Sequence, residues 1–135
     1  MPRITTASEF MVTEKRSRFL ALASPAATLD EAKKVVRKRS TKHRKARHHC
    51  WACVVRDENG RLVEQARDDG EVGRPGMKLL ELLRGEDLEG VIVVSRFFGG
   101  VKLGPAGVGR AFRAAGEGAI AALNRKDARD ARTSH

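Results

Sequence analysis

Residues 68–110 read DDGEVGRPGMKLLELLRGEDLEGVIVVSRFFGGVKLGPAGVGR, and this stretch is the most informative part of the sequence. Its apolar run from Val91 to Val94 is typical of a strand that is buried on both sides. A glycine-rich loop follows the run, and glycine lets backbone amides approach a ligand closely. The stretch therefore predicts a strand, a loop and a helix whose first amides can bind an anion.

The length and the composition indicate a single cytoplasmic domain. A chain of 135 residues has the usual size of one domain and can bury one core. No stretch reaches the roughly 18 unbroken apolar residues of a membrane span. The N-terminus also lacks the charged and then apolar pattern of a signal peptide. We therefore expect a cytoplasmic protein that does not bind membranes.

Hydrophobic periodicity gives the order of elements along the chain. Three segments have helical character and begin near Thr28, Pro75 and Gly104. Five segments have strand character, namely residues 9–15, 17–23, 49–56, 61–66 and 91–98.

This order, ββαββαβα, predicts an α+β fold. We expect a two-layer sandwich in which three helices lie on one face of a mostly antiparallel sheet, so that the other face stays open. The domain is predicted to cover residues 1–123. Residues 124–135 are charged and lack apolar periodicity, which predicts a disordered tail.

Two cysteines, Cys50 and Cys53, have a spacing that suggests a redox or metal site. The segment has strand character, however, and residues three apart on a strand point to opposite faces of a sheet. Only His48 and His49 lie nearby, and no second C-x-x-C completes a tetrahedral zinc site. We therefore predict buried structural thiols, no metal and no cofactor.

The positive charge is concentrated in one segment. The formal net charge is +10, and residues 32–56 contain ten Lys or Arg and no acid, whereas the rest of the chain holds 17 of each sign. Such a segment is either a solvated surface or a binding site for phosphates or an acidic protein. The predicted nucleic-acid-binding residues are Lys33, Lys34, Arg37, Lys38, Arg39, Lys42, Arg44, Lys45 and Arg47.

The acidic group at 68–71 has two interpretations. Asp68, Asp69 and Glu71 precede a predicted helix, where carboxylates stabilise the unpaired amides, and this is the interpretation we favour. Alternatively, they orient cationic side chains across a cleft or hold a magnesium ion.

The loop after the fifth strand also has two interpretations. Gly104–Gly109 could hold a phosphate together with Lys102 and Arg110, or it could let the last helix pack close to the sheet. Arg96 and Phe98 would add charge and a stacking surface if they face outward. The predicted ligand- or partner-binding residues are His48, His49, Asp68, Asp69, Glu71, Arg96, Phe98, Gly99, Gly100, Lys102, Gly104 and Arg110.

Three motifs in this order resemble the YigZ/Impact N-terminal domain family. They are HHC at 48–50, DDGE at 68–71 and SRFFGGVKLGPAG at 95–107. The resemblance implies a fold like the second domain of a small-subunit ribosomal protein. It also implies a connection to translational control, as in the Impact branch. Because the sequence ends soon after the last predicted helix, we expect it to lack the ferredoxin-like second domain of bacterial members. We also expect no activator-binding domain before the region that carries these motifs, in contrast to Impact.

Together, the resemblance and the basic segment predict a non-enzymatic binding module linked to the regulation of translation. RNA or the ribosome is the expected partner. One alternative is a protein that regulates a starvation-responsive kinase pathway by binding another protein, as the resemblance to Impact implies. Another is a small enzyme for a phosphate ligand that uses the DDGE and glycine-loop residues. No recognisable base-orienting group accompanies Ser95 or Cys50, so nothing indicates nucleophilic catalysis.

Overall fold

The computed structural model describes residues 2–133 of the chain, and their side chains through residue 124. The elements follow the predicted ββαββαβα order. Their bounds are β1 (Ser8–Glu14), β2 (Ser17–Ser24), α1 (Leu29–Lys42), β3 (His48–Arg56), β4 (Leu62–Arg67), α2 (Pro75–Gly85), β5 (Gly90–Phe97) and α3 (Gly104–Thr133).

All five strands form one sheet, in the order β1-β2-β5-β3-β4, and every neighbouring pair is antiparallel. The apolar strand β5 lies in the middle, where strands β2 and β3 supply its hydrogen-bonding partners. Its residues Val91 to Val94 are fully buried, because both faces of this central strand are covered. The prediction of an α+β fold with an antiparallel sheet is confirmed.

The prediction that all three helices lie on one face is wrong. Helices α2 and α3 cover the face that carries Phe19, Ala52 and Ile92. Helix α1 packs on the opposite face, where its Ala32 joins a second apolar cluster with Trp51, Cys53, Val55, Val91 and Val93. The physical reason is that β3 and β5 are apolar on both faces, so each face must be covered by a helix.

Helix α1 begins where the sequence predicts it. Thr28 has extended backbone dihedrals, and its hydroxyl accepts a hydrogen bond from the Glu31 amide at 3.2 Å. The Glu31 carboxylate in turn accepts a hydrogen bond from the Ala27 amide. The first bond satisfies an amide that the first turn of a helix leaves unpaired, and the second fixes the residue before the cap to that turn.

Helix α3 extends through Thr133 and therefore includes part of the segment for which the sequence predicts a tail. Residues 134 and 135 lie outside the described residues, and the division of the chain at residue 123 stays a prediction. Among residues 2–133, no helix combines the length and the apolar character that crossing a membrane requires.

Candidate functional site

Four loops meet at one end of the sheet, which we call the loop end. They are the β1–β2 turn (15–16), the α1–β3 loop (43–47), the β4–α2 loop (68–74) and the β5–α3 loop (98–103). The register brings them together, since Arg18 pairs with Phe97 and His48 pairs with Arg96. Most of the predicted ligand- or partner-binding residues therefore lie near one another at the loop end.

Asp68 and Asp69 are both hydrogen-bonded to backbone amides. Oδ1 of Asp68 accepts a hydrogen bond from the Gly76 amide at 2.8 Å, in the first turn of α2. Oδ2 of Asp69 accepts one from the His49 amide at 2.8 Å, at the start of β3. The helix-start interpretation thus describes Asp68, whereas Asp69 attaches the loop to the neighbouring strand.

Glu71 and Arg96 form a buried ion pair. Nη1 of Arg96 lies 3.0 and 3.1 Å from the two carboxylate oxygens of Glu71, and the side chains are only 7% and 4% exposed. Nε2 of His48 lies 3.8 Å from the same carboxylate, and Nδ1 of His48 is 2.7 Å from the Asp69 carbonyl oxygen. The ion pair connects the DDGE segment to the end of β5.

The sequence predicted that Arg96 would add charge to an open sheet face if its side chain pointed outward. The structure buries the side chain of Arg96 instead. Its side chain lies on the α2–α3 side of the sheet, where its guanidinium carbon is 5.5 Å from the centre of the Phe19 ring. Phe98 is 40% exposed, and the guanidinium carbon of Arg47 lies 4.6 Å from the centre of its ring. The accessible charge beside Phe98 thus belongs to Arg47.

The glycines of the β5–α3 loop and of α3 have different surroundings. The Gly99 amide donates a hydrogen bond to the Ser17 hydroxyl at 3.1 Å, which fixes the loop to the β1–β2 hairpin. A Cβ atom added at Gly109 would lie 2.9 Å from the Gly73 carbonyl oxygen, so close packing of α3 requires glycine there. Gly100 and Gly104 have open space around them.

Among the described side chains, neither Lys102 nor Arg110 forms an ion pair with the acidic residues. Lys102 is exposed on the β5–α3 loop. Arg110 lies on α3 and lines a separate hollow of about 290 Å³ together with Lys15, Glu14 and Leu103. The hollow lies between β1 and α3, away from the Glu71–Arg96 pair.

The predicted nucleic-acid-binding residues are exposed except at one position. Arg39 is buried and faces Glu9 of β1, with 3.4 Å between Nη1 and Oε1, so the expectation that Arg39 faces solvent is wrong. Its place on α1 turns it toward the sheet rather than away from it. The remaining predicted nucleic-acid-binding residues are exposed, namely Lys33, Lys34, Arg37, Lys38, Lys42, Arg44, Lys45 and Arg47.

The two cysteines lie on opposite faces of the sheet, as their spacing predicts. Cys50 packs against α2 and α3, and Cys53 packs in the cluster under α1. Burial raises the pKa of both thiols, so neither is a thiolate at neutral pH. Among the described side chains, no three His, Cys, Asp or Glu groups are placed to hold a metal ion together.

The sequence interpretation did not include the β1–β2 turn in the site. Lys15 and Arg16 are exposed at the loop end and have positive φ values of 43° and 71°. Arg18 follows them, with its guanidinium carbon 4.8 Å from the centre of the Phe97 ring. A basic turn between two strands was the sequence signal for these residues, but only the pairing of β2 with β5 brings the turn to the site.

Two partly buried histidines beside the basic loop predict a pH-dependent stability. Burial is the main cause that lowers the pKa of His43 and His49 from 6.5. The Nδ1 atom of His49 is 2.7 Å from the Ser95 hydroxyl, and Nε2 of His43 is buried without a partner among the described residues. The unfolded chain therefore binds protons at a higher pH than the folded chain does.

We expect the free energy of unfolding to be constant above about pH 6.5 and to fall as the pH drops below that value. Urea denaturation between pH 5.5 and pH 7.5 measures the effect. In this pH range Glu64 and Glu89 do not titrate, because hydrogen bonds from arginines lower their pKa values from 4.5. A stability that stays constant or rises toward pH 5.5 would contradict the prediction.

Comparison with known proteins gives the family. The model of the Impact N-terminal domain matches residues 15–120. The IMPACT family member YvyE of Bacillus subtilis (strain 168) is 35% identical over 111 residues, which cover 81% of this chain and 50% of YvyE. The chain spans about half the length of the bacterial relatives it matches.

Two solved structures share the fold. One, described as the crystal structure of a hypothetical protein, has a TM-score of 0.80 and 29% identity, over 87% of this chain and 58% of the other. The second is the two-domain translational regulator Yih1, with a TM-score of 0.58 and 29% identity, over 87% of this chain and 46% of that protein. From the motifs, the fold and the matched residues, we conclude that this chain belongs to the Impact N-terminal domain family.

Proposed function

We propose that this chain is a non-enzymatic module that binds RNA or the ribosome in the cytoplasm and takes part in the regulation of translation. The observation that carries the proposal is the exposed basic surface of α1 and the loop that follows it, in a family that includes a translational regulator. We call this surface, made of Lys33, Lys34, Arg37, Lys38, Lys42, Arg44 and Lys45, the basic surface.

The cations of the basic surface form no ion pair with any described side chain. Among the described side chains, the ion pairs of α1 and its loop involve Arg39 alone, which is buried. The other cations are exposed to solvent. Exposed lysines and arginines bind phosphates by releasing the counterions that surround a nucleic acid, so the basic surface supports binding to a polyanion of any sequence.

The arrangement of the acidic residues supports a binding protein rather than a phosphate-ligand enzyme. Asp68 and Asp69 accept hydrogen bonds from backbone amides, and Glu71 is buried against Arg96. A catalytic acid or base must reach a substrate. Asp68 and Glu71 are instead engaged with the protein itself, and the exposed Asp69 uses Oδ2 to hold the loop to the start of β3.

Removing two charges from the basic surface is expected to weaken RNA binding and to reduce its dependence on salt. In the variant Arg37→Ala/Lys38→Ala, the slope of log K against log salt concentration should become shallower by about 1.4–1.8 if both side chains contact phosphates. Fluorescence anisotropy with a structured RNA, over a series of salt concentrations, measures the slope. Co-sedimentation with ribosomes should decrease in parallel.

The matched control is Arg84→Ala/Arg113→Ala, which removes the same charge from α2 and α3 on the opposite face of the sheet. Both arginines are exposed and paired with glutamates. We expect this variant to bind RNA almost as the wild-type chain does. Binding that is absent or independent of salt in the wild-type chain would contradict the proposal, as would an equal loss in both variants.

A second candidate is a regulator that binds an acidic protein surface, and the similarity to the translational regulator Yih1 favours it. The same cations would contact carboxylates instead of phosphates. In that case, charge reversal of Arg37 and Lys38 should abolish binding to a protein partner in pull-downs, while any RNA binding stays unchanged.

A further inference from the structure

We propose that the loop end binds the unpaired bases of single-stranded RNA, and that Arg47 stacked on Phe98 is the element that binds a base. The inference rests on the proposed function and adds a preference for single-stranded RNA over duplex RNA. The basic surface of α1 would attract any RNA, and the loop end would select strands whose bases are accessible.

Phe98 is the first feature that points to a ligand. It is 40% exposed and stands at the end of β5, where the β5–α3 loop begins. Val72 and Val101, on two loops of the same end, are 50% and 40% exposed. An exposed aromatic ring, with exposed aliphatic side chains on the loops of the same end, is suited to contact the flat face of another ring.

The second feature is the planar cation on Phe98. The guanidinium carbon of Arg47 lies 4.6 Å from the centre of the Phe98 ring, and Arg47 is exposed. Among the described side chains, Arg47 forms no ion pair that would hold it elsewhere. RNA bases stack both on aromatic rings and on guanidinium planes, so a base can extend the stack that Arg47 and Phe98 begin.

The third feature is the charge around the stack. Among the described residues of the β4–α2 loop, Asp69 is the one exposed acid, and its Oδ2 accepts a hydrogen bond from the His49 amide. Asp68 is half-buried against an amide of α2, and Glu71 is buried against Arg96. The exposed cations of the loop end are thus left to face a phosphate backbone. They are Lys15, Arg16, Arg44, Lys45, Arg47, Arg74 and Lys102.

The type of RNA follows from where its bases are accessible. In an RNA duplex the bases are stacked on one another, and proteins contact mainly the sugar and phosphate groups. In a single strand each base offers a free face to an aromatic or guanidinium plane. A stacking element at the loop end therefore adds affinity for single strands and none for duplexes.

Two conservative variants separate stacking from charge. Arg47→Lys keeps the positive charge but removes the planar group, and Phe98→Leu keeps an apolar side chain but removes the ring. We expect each to bind a single-stranded oligonucleotide at least about fivefold more weakly. Binding to the duplex of the same sequence, and the salt slope of Arg47→Lys, should stay unchanged. Fluorescence anisotropy with both RNAs measures these effects.

The control variants are Leu62→Ala, which trims an exposed apolar side chain at the opposite end of the sheet, and Phe98→Tyr, which keeps a ring. Both should bind the single strand as the wild-type chain does. If the wild-type chain binds no RNA, the proposed function fails. If it binds RNA with a clear salt dependence, but Arg47→Lys and Phe98→Leu weaken neither RNA or both equally, only the stacking inference fails.

Discussion

Replacing Glu71 by alanine is expected to lower the free energy of unfolding by about 3–5 kcal/mol. The carboxylate of Glu71 lies 3.0 Å from Nη1 of Arg96, and both side chains are almost completely buried. Without the carboxylate, a guanidinium stays buried with no opposite charge beside it, and its Nε already lacks a partner among the described residues. Urea denaturation of the variant and the wild-type chain at pH 7 measures the difference.

Two comparisons show whether the buried charge causes the loss. The double variant Glu71→Leu/Arg96→Met removes both charges, so it should be clearly less destabilised than Glu71→Ala. The variant Glu64→Ala breaks a solvent-exposed pair with Arg84, for which we expect a far smaller effect. If Glu71→Ala costs no more than Glu64→Ala, the pair does not hold the β4–α2 loop to β5.

The variant Gly73→Ala is expected to lose about 2–5 kcal/mol of stability. Gly73 has a φ of +85°, a conformation that costs an L-residue roughly 1–2 kcal/mol. An added Cβ would also lie 2.3 Å from the Pro105 carbonyl oxygen and 3.0 Å from the Gly109 amide nitrogen. These are backbone atoms of α3, and such overpacking costs about 1–3 kcal/mol.

Gly60→Ala is the matched control for the backbone conformation. Gly60 has a φ of +77°, in the β3–β4 turn, but an added Cβ there would have no atom within 4 Å. This variant should therefore lose only the conformational part, about 1–2 kcal/mol. Thermal denaturation of both variants gives the contribution of the contact between the β4–α2 loop and α3. Equal losses would show that the contact contributes nothing.

The sequence predicted the elements and their order well, because local patterns determine them. The cap at Thr28 and the apolar strand β5 were both identified from neighbouring residues. The same strand also signalled burial on both sides, yet all helices were placed on one face. Periodicity shows which residues are buried but not which element covers them, so the position of α1 under Val91 and Val93 needed the structure.

The site was less predictable, because its contacts join residues that are far apart in the chain. Glu71 and Arg96 are recognisable as motif residues, but their pairing depends on the register that sets β5 beside β3. Arg39 resembles its basic neighbours in the sequence, and only the distant Glu9 distinguishes it. Its neighbours Lys33, Lys34, Arg37 and Lys38 are exposed, as their positions off the apolar stripe of α1 indicate, since unopposed charges rarely leave water.

The separate position of α1 affects how the molecule can open. The apolar cluster that attaches α1 to the sheet is much smaller than the one that α2 and α3 share. The free energy of local unfolding follows the apolar surface that a segment buries. We therefore expect the amides of α1 to exchange with solvent hydrogen sooner than those of α3. Among the described side chains, α1 carries more exposed cations than α2 or α3, so the more basic helix would also be released from the sheet more readily than α3.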